Sequence, residues 1–363
     1  MARKIIFTVI NDLNYDQRME RICTSLAGAG YEVVLVGREL PASLAVDNRS
    51  YKQHRLRNIF NKGKLFYMEY NIRLFFYLLF HKADIISAID LDTIIACYWA
   101  AKIKGAKVVY DAHEYFPEVP EVVRRPRIQA FWRWVERTYV PLMNMVYTST
   151  QSIAQVFSIN YKVQATAIRN LPRLQPASSE NHSHNKYIIY QGALNEGRGL
   201  ESLLEAMLDI DIELWLVGEG DISKQLKEQV SVLGLADKVK FLGYVKPEAL
   251  KKITANAFIG INLLEKKGLS YYYSLANKFL DYIQAGVPQV SMSFPEYKRI
   301  NDEYNIALLI ENLTKDAIKV ALLQLITNNE LYSTLHQNCL NSKGELCWEM
   351  EERKLIEIYE RIG

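Results

Sequence analysis

The sequence predicts an α/β protein made of two facing Rossmann-like domains with a central cleft. Three observations lead to this prediction. The chain has 363 residues, which suits two domains of ordinary size. Short apolar runs alternate with amphipathic helical patterns along the whole length, as in βαβ units with parallel sheets. Residues 170–186, which contain prolines, serines and histidines, interrupt the pattern once before it restarts.

The predicted elements follow the same alternation in both halves. The predicted strands are residues 4–10, 32–36, 84–89, 107–110, 145–148, 187–190, 213–217, 240–242, 258–262, 289–292 and 307–310. The first helix covers residues 16–29 and ends at Gly30, and the last covers residues 348–361. We therefore divide the chain into a first domain of residues 1–170, a linker of residues 171–186, a second domain of residues 187–340 and a C-terminal helical segment of residues 341–363.

Composition excludes several classes of protein. Hydrophobic residues make up 49% and charged residues 23% of the chain, as in a globular protein with a full core. The net charge of +3 gives no reason to expect a nucleic-acid partner. The four cysteines lack metal-binding spacing, so we expect buried, reduced thiols. The apolar stretch 72–80 is much shorter than the roughly 20 residues of a membrane span. We expect a cytoplasmic protein, soluble or attached to a membrane surface.

The segment 270–286 is the first candidate for a ligand site. Ser274 is a suitable N-cap for a helix over residues 275–285, with Asn277 in its first turn. Lys278 and Asp281 follow at spacings that put them on the same helical face as Ser274. The amides at a helix start and a nearby cation suit a diphosphate, and the carboxylate suits ribose hydroxyls. The alternative is an ordinary capped helix with a solvated Lys and Asp.

Three further strand ends carry glycine-rich or tight turns. Gly192 begins a loop that reaches Arg198, whose guanidinium suits bidentate phosphate contacts. Gly218 and Gly220 form a tight turn after the next strand. Beyond the following strand, the backbone of residues 244–245 (Tyr244 and Val245) is placed to contact a nucleobase edge. A plain β-α loop is the alternative for the glycine-rich loop that begins at Gly192, but four such loops in this order are more specific than any one.

The second half resembles the nucleotide-binding domain of the group 1 glycosyltransferases, which are retaining enzymes of the GT-B fold. The matching motifs are a glycine-rich loop, a VGxG turn, an FxG strand and a helix ending in GxP, at residues 192–199, 217–220, 241–243 and 274–288. The resemblance spans residues 187–310. It implies a nucleotide-sugar-binding second domain, an acceptor-binding first domain and a C-terminal helix that returns toward the first domain.

The resemblance also implies roles for individual residues. Arg198 and Lys278 would neutralise the diphosphate, and Asp281 would bind the ribose. Tyr244 and Val245 would flank the base.

The sequence departs from the family pattern at three positions. Ala193 replaces a common arginine, and Tyr273 stands at the first of two usual acidic positions. Glu265 is a possible substitute for that acid if residues 266–273 form a longer loop. Asp281 is one methylene shorter than the usual glutamate.

The first half contributes candidates for the acceptor side. Asp16 is placed to orient an acceptor hydroxyl, and the alternative is a helix N-cap. Arg18 or Arg21 would contact a phosphate. The resemblance places His113 beside the transferred sugar, and a structural histidine is the alternative. Asp90, Asp111 and Glu114 make this rim acidic without metal-ligand spacing, so we expect neither a metal nor another cofactor.

The reaction implied is transfer of a sugar from a nucleoside-diphosphate sugar to an acceptor hydroxyl, on a saccharide or a lipid-linked glycan, with retention of configuration. Two alternatives remain: a nucleotide-sugar epimerase of the same architecture, and an inactive nucleotide-sugar-binding scaffold.

Residues 52–82 mix cations with aromatic side chains, which suits peripheral contact with an anionic membrane surface. The alternative is a core helix that follows a basic loop.

Overall fold

The computed structural model describes residues 2–14, 16–41, 43–175 and 186–362. The chain divides into two compact units, Met1–Asn170 with Met350–Gly363, and Leu171–Glu349. Residues 176–185, which make up most of the proposed linker, lie outside the described residues. Each unit contains one sheet, and its neighbouring strands pair in parallel. The predicted fold class, α/β with two Rossmann-like domains, is confirmed.

The first unit is built on a seven-stranded sheet. Its strands are β1 (Lys4–Thr8), β2 (Glu32–Glu39), β3 (Lys52–Arg57), β4 (Ile85–Ile89), β5 (Lys107–Ala112), β6 (Met145–Thr148) and β7 (Ala165–Ala167), in the spatial order β3-β2-β1-β4-β5-β6-β7. Its helices are α1 (Gln17–Gly28), α2 (Gly63–Phe80), α3 (Leu91–Lys104), α4 (Pro120–Val123), α5 (Pro126–Tyr139) and α6 (Gln151–Tyr161). Because the strand order reverses between β1 and β4, a ligand is expected at the carboxyl ends of these strands.

The edge strand β3 corrects the interpretation of residues 52–57 as a basic loop. Its side chains, apart from Leu56, are polar and lack the apolar alternation of a half-buried strand, so the pattern did not predict it. Lys52 pairs with Glu32 at 3.0 Å, and Arg57 pairs with Glu39 at 2.8 Å, both across to β2. Charged side chains are typical of exposed sheet edges, where they discourage pairing with other chains. The three-residue strand β7 was also missed.

The C-terminal helix α15 (Trp348–Ile362) completes the core of the first unit. The Tyr359 side chain is fully buried, and its ring centroid lies 5.9 Å from that of Phe7. Its hydroxyl lies 3.3 Å from Ser87 Oγ on β4. Near the start of the helix, buried Glu351 pairs with Arg169 at 2.8 Å. The predicted return of this helix toward the first domain is confirmed.

The second unit is built on a six-stranded sheet. Its strands are β8 (Tyr187–Gln191), β9 (Glu213–Val217), β10 (Val239–Gly243), β11 (Ile259–Asn262), β12 (Gln289–Met292) and β13 (Ala307–Ile310), in the order β10-β9-β8-β11-β12-β13. Its helices are α7 (Leu200–Ala206), α8 (Ser223–Val232), α9 (Pro247–Ala255), α10 (Gly268–Tyr272), α11 (Asn277–Gln284), α12 (Pro295–Tyr304), α13 (Lys315–Thr327) and α14 (Asn329–Ser342). Each predicted strand of this half is present within one residue at either end.

The described residues contain no helix long and apolar enough to cross a membrane. All four cysteines are buried free thiols. Within the same described ranges, no group of three or more His, Cys, Asp or Glu side chains is arranged to bind a metal ion.

Candidate active site

Four loops of the second unit begin at the carboxyl ends of the adjacent strands β10, β9, β8 and β11. Backbone hydrogen bonds join these loops where the strands end. The amide of Gly192 donates to the carbonyl of Val217 at 2.9 Å, and the amide of Gly218 donates to the carbonyl of Gly243 at 2.8 Å. The structure therefore brings the predicted glycine-rich turns together at one edge of the sheet.

The glycines at this edge allow the loops to pack closely. A Cβ added to Gly218, which has φ +136°, would lie 2.0 Å from the carbonyl oxygen of Gly192. A Cβ added to Gly220 would lie 2.3 Å from Asn195 Oδ1. At Gly192, where φ is +125°, an added Cβ would lie 3.5 Å from Lys278 Nζ. Only glycine fits at positions 218 and 220, and the backbone of Gly192 lies directly against the Lys278 side chain.

Two cations of the site lie over aromatic rings. Lys278 Nζ is 3.5 Å from the centre of the Tyr190 ring, and Arg198 Cζ is 5.0 Å from that of Tyr271. Burial and the charge of Arg198 lower the pKa of Lys278 well below its usual range, while Asp281 acts in the opposite direction. Arg198 Nε is buried and has no hydrogen-bond partner in the described part of the chain. A bound anion would satisfy this donor and relieve the repulsion between the cations.

The start of α11 differs from its prediction. The helix begins at Asn277, which is exposed, and its N-cap is Ala276, which has no side chain able to accept a hydrogen bond. Ser274 Oγ instead donates to the carbonyl of Tyr271 at 2.8 Å, because the short helix α10 ends just before it. The prediction that Ser274 caps this helix and shares its face with Lys278 was wrong. Helix α11 has no side-chain cap, and an uncapped helix start suits an anion.

The Asp281 carboxylate is positioned by a network that the sequence did not predict. Gln191 Nε2 donates to Asp281 Oδ2 at 2.9 Å, and Thr254 Oγ1 donates to Gln191 Oε1 at 2.6 Å. Gln191 and Thr254 are both buried. The sequence signal for this network was the polar residue Gln191 at the end of the apolar strand β8. A buried polar side chain requires a hydrogen-bond partner.

The remaining donor-side candidates lie in three different environments. Glu265 pairs with Lys267 at 2.7 Å, and its amide donates to the carbonyl of Gly197 at 2.8 Å. Tyr273 is partly buried at the end of α10. Beyond β10, Tyr244 is 74% exposed, whereas Val245 packs against the smaller apolar cluster of this unit. An exposed aromatic ring at a strand end is available for stacking with a ligand.

In the first unit, the loop after β1 has a structural role. Asp16 Oδ1 accepts a hydrogen bond from the amide of Met19 at 3.0 Å, so Asp16 is the N-cap of α1. The guanidinium of Arg18 is buried, where it donates to Asp111 Oδ1 at 2.9 Å and to the carbonyl of Ile168 at 2.7 Å. Arg18 is therefore not available for the phosphate contact that the sequence suggested.

His113 and Asp90 lie together at the carboxyl ends of β5 and β4. His113 Nε2 is 3.0 Å from Asp111 Oδ2, and its amide donates to Asp90 Oδ1 at 2.9 Å. Burial disfavours the charged imidazole, but the Asp111 carboxylate outweighs burial and raises the pKa of His113 to about 9. Burial raises the pKa of Asp90 to about 7. At neutral pH this edge therefore presents a cationic donor beside a carboxyl group, a pair suited to hydroxyl recognition.

The fold is that of a protein with two parallel-sheet units, and the second unit carries two cations, Arg198 and Lys278, beside its glycine-rich loops. The family model described as glycosyl transferases group 1 matches residues 173–341, and that described as glycosyltransferase family 4 matches residues 17–173. Together they span most of the chain, which belongs to the group 1 glycosyltransferases of the GT-B fold.

Curated relatives match shorter segments. A lipopolysaccharide core biosynthesis glycosyltransferase from Rhizobium meliloti is 26% identical over 113 residues, which are 29% of this chain and 33% of the relative. A chitobiosyldiphosphodolichol beta-mannosyltransferase from Mus musculus is 25% identical over 189 residues, 47% of this chain and 39% of the relative. The chain thus matches well under two thirds of the length of these relatives.

Solved structures match the whole chain at low identity. A sucrose-phosphate synthase from Thermosynechococcus elongatus has a TM-score of 0.81 at 16% identity, and the match covers 99% of both chains. An Anabaena protein in complex with UDP-glucose has a TM-score of 0.77 at 13% identity, with the same coverage. Identities this low show a shared fold alone.

Proposed function

We propose that this protein transfers a sugar from a nucleoside-diphosphate sugar to an acceptor hydroxyl. The observation that carries the proposal is the pair of cations, Lys278 and Arg198, beside the backbone of Gly192 and the uncapped start of α11. These groups suit the diphosphate of a donor. The Anabaena protein of the same fold, which contains UDP-glucose, supports a nucleotide-sugar ligand.

Other residues of the same edge would bind the rest of the donor. Asp281, held by Gln191, is oriented to accept hydrogen bonds from ribose hydroxyls. The exposed ring of Tyr244 and the adjacent backbone of Val245 flank the base in this proposal. Gly218 and Gly220 would let the loop backbone approach the ligand, while Asn277 and Ser274 lie at the α11 end of the site and Glu265 in the neighbouring loop.

The chemistry follows from where charge develops. The bond between the anomeric carbon and the diphosphate oxygen breaks through an oxocarbenium-like transition state, and a bond to the acceptor oxygen forms on the same face. The acceptor proton leaves to a diphosphate oxygen or to solvent. Lys278, Arg198 and the α11 amides stabilise the negative charge that grows on the diphosphate, a contact typically worth about 3 kcal/mol, or roughly a hundredfold in rate. Metal-independent catalysis is part of this proposal.

The acceptor is proposed to be a saccharide or lipid-linked glycan. The names of the two curated relatives, which concern a lipopolysaccharide core and a dolichol-linked chitobiose, support this class. His113 and Asp90 would contact hydroxyls of the sugars. Asp16 would act there only through the position of α1, which it caps. The buried free thiols support a cytoplasmic location. Peripheral attachment to a membrane is a further part of this proposal.

The test begins with calorimetric titration of a panel of nucleotide sugars, followed by an assay for released nucleoside diphosphate. Arg198→Ala and Lys278→Ala should each lower release at least about a hundredfold while circular dichroism and melting stay normal. Lys251→Ala, on an exposed residue of α9, is the matched control. Near-normal release in either site variant would refute the proposal. Conversion of free donor without diphosphate release would indicate an epimerase, and binding without turnover would indicate a scaffold.

A further inference from the structure

Helices α2, α3 and α5 of the first unit carry an unusual set of exposed side chains. Tyr67 is 37% exposed, Trp99 44%, Ile103 63%, Phe131 48% and Trp134 54%. We call these five residues the aromatic face. Large aromatic side chains are normally buried, so their exposure on neighbouring helices indicates a surface that contacts something other than water.

The aromatic face is continuous across the three helices. Trp99 Nε1 donates to the hydroxyl of Tyr139 at 3.3 Å, and the Trp134 ring centroid lies 6.5 Å from that of Tyr139. Trp132 of α5 links Phe131 to Tyr67 of α2, because its ring centroid lies 5.1 Å from that of Phe131 and 5.9 Å from that of Tyr67. Helix α5 therefore connects the exposed rings of α2 and α3 into one patch.

The charges on these helices have one sign at the surface. The exposed charged side chains of α2, α3 and α5 are all cations: Lys64, Arg73, Lys102, Arg127, Arg133 and Arg137. Two of them are paired with acids, Arg73 with Glu69 at 2.8 Å and Arg133 with Glu118 at 2.7 Å. The acidic side chains of the same helices are largely buried: the Glu69 side chain is 13% exposed, Asp92 is 6% exposed and Glu136 is fully buried. Such a surface is complementary to an anionic partner.

Spacing on α5 puts cations and rings on one stripe. Arg127, Phe131, Trp134 and Arg137 follow one another at intervals of four, three and three residues, which align along a helix. On α3, Lys102 Nζ lies 5.1 Å from the centre of the Trp99 ring. Tryptophan with neighbouring lysine or arginine is the combination that suits the headgroup region of a bilayer.

We propose that the aromatic face, with its surrounding cations, docks the first unit onto an anionic lipid bilayer. This rests on the proposed function in that a lipid-linked acceptor would require such contact. The face shares α2 with the stretch 52–82 suggested from the sequence and adds α3 and α5 to it. A two-fold contact between copies of this face would bring cation against cation, so an anionic lipid surface fits better than a second copy.

The test is co-sedimentation with vesicles of phosphatidylcholine, with and without about 30% phosphatidylglycerol. The wild-type protein should sediment only with the anionic vesicles at low salt and be released as salt rises. Phe131→Ser/Trp134→Ser and Arg127→Glu/Arg137→Glu should each weaken binding at least about tenfold. Val232→Ser/Lys251→Glu, which changes exposed residues of the second unit, should bind normally.

Absent binding of the wild-type protein, or equal binding of all variants, would overturn the proposal. So would a wild-type dimer in analytical ultracentrifugation that these face variants dissociate, since that result would assign the face to a second copy. Donor hydrolysis measured without vesicles separates the two proposals, because failure of membrane docking leaves it unchanged. The melting temperature of each variant checks that the first unit remains folded.

Discussion

The ammonium nitrogen of Lys278 lies 3.5 Å from the centre of the Tyr190 ring, although the two residues are 88 positions apart. The Tyr190 hydroxyl donates to the carbonyl of Ala193 at 2.8 Å, which fixes the ring at the end of β8. The ring orients the cation without neutralising it, as a carboxylate would. The ring thus sets the position of the Lys278 ammonium at the end of β8.

Replacing Tyr190 should separate the role of the ring from that of its hydroxyl. Tyr190→Phe keeps the cation–π contact, so we expect donor affinity within about threefold of wild type. Tyr190→Leu removes the contact and should weaken binding roughly tenfold, because a desolvated cation–π contact is worth about 1–2 kcal/mol. Titration calorimetry with the preferred nucleoside diphosphate measures both. Equal affinity of the two variants would show that the ring does not orient Lys278.

Gln191→Leu should disturb the Asp281 carboxylate without changing side-chain volume greatly. The substitution removes the donor to Asp281 Oδ2, while the Thr254 hydroxyl keeps the Leu250 carbonyl as an acceptor at 2.9 Å. We expect affinity for a ribonucleoside diphosphate to fall about tenfold, as for one lost hydrogen bond to a charged group. The preference for the ribonucleoside diphosphate over its 2′-deoxy analogue should fall as well. Gln337→Leu, at an exposed position of α14, is the control, and an unchanged preference in Gln191→Leu would argue against ribose recognition by Asp281.

Gly218→Ala should destabilise the second unit and abolish donor binding. Its φ of +136° is unfavourable for alanine, and its Cβ would meet the Gly192 carbonyl at 2.0 Å. We expect a loss of about 3 kcal/mol or more in the free energy of unfolding, measured by urea denaturation. Gly28→Ala, which meets no atom within 4 Å, should be neutral or stabilising by up to about 1 kcal/mol. Similar stabilities of the two variants would contradict the close packing of these loops.

His113 should make stability depend on pH above neutrality. Its pKa is raised from 6.5 to about 9 in the folded protein, so its stabilising effect is complete below about pH 6.5 and is lost as pH rises to about 9. His113→Gln lacks this titration, and its stability difference from wild type should shrink by up to about 3 kcal/mol across that window. Urea denaturation at several pH values measures the difference. His81→Gln, on an exposed ring, is the control, and a constant difference for His113→Gln would exclude the ion pair.

Asp90→Asn should stabilise the first unit at alkaline pH. Burial raises the pKa of Asp90 from 3.8 to about 7, so its charged form destabilises the folded state increasingly over that range and fully above it. Asparagine keeps an oxygen that accepts from the His113 amide, and we expect a gain of about 1–2 kcal/mol near pH 8 and a smaller one near pH 5. Thermal denaturation at both pH values tests this. A loss of stability near pH 8 would show that the carboxylate is needed for the fold.

Most of the fold was predictable because its strands are buried in parallel sheets and appear as short apolar runs. Residues 145–148, 213–217, 289–292 and 307–310 match their observed strands without a shift. Strand β3 was missed because a charged edge strand lacks that pattern. The start of α11 was misplaced because Ser274 is a good N-cap by residue type, and the short helix α10 before it was not recognised.

The candidate site was predictable only in part. The glycines, Arg198 and Lys278 occur in local motifs at strand ends, so their proximity follows from the parallel order of the strands. Gln191 and Thr254 occur in no such motif, and their link to Asp281 spans long stretches of chain. Side-chain partners at these separations depend on packing that no local pattern contains.

For the edge on which Lys278 lies, the sequence by itself determined the order of strands and helices, the glycine turns and the two cations, because these follow from hydrophobic periodicity and local backbone conformation. Only the tertiary structure decided which groups orient those cations. Tyr190 comes from a strand and Tyr271 from a short helix, and each meets its cation only after the chain has folded. The tertiary structure also decided the partner of Arg18. This side chain is buried and pairs with Asp111, because an unpaired buried charge would be costly.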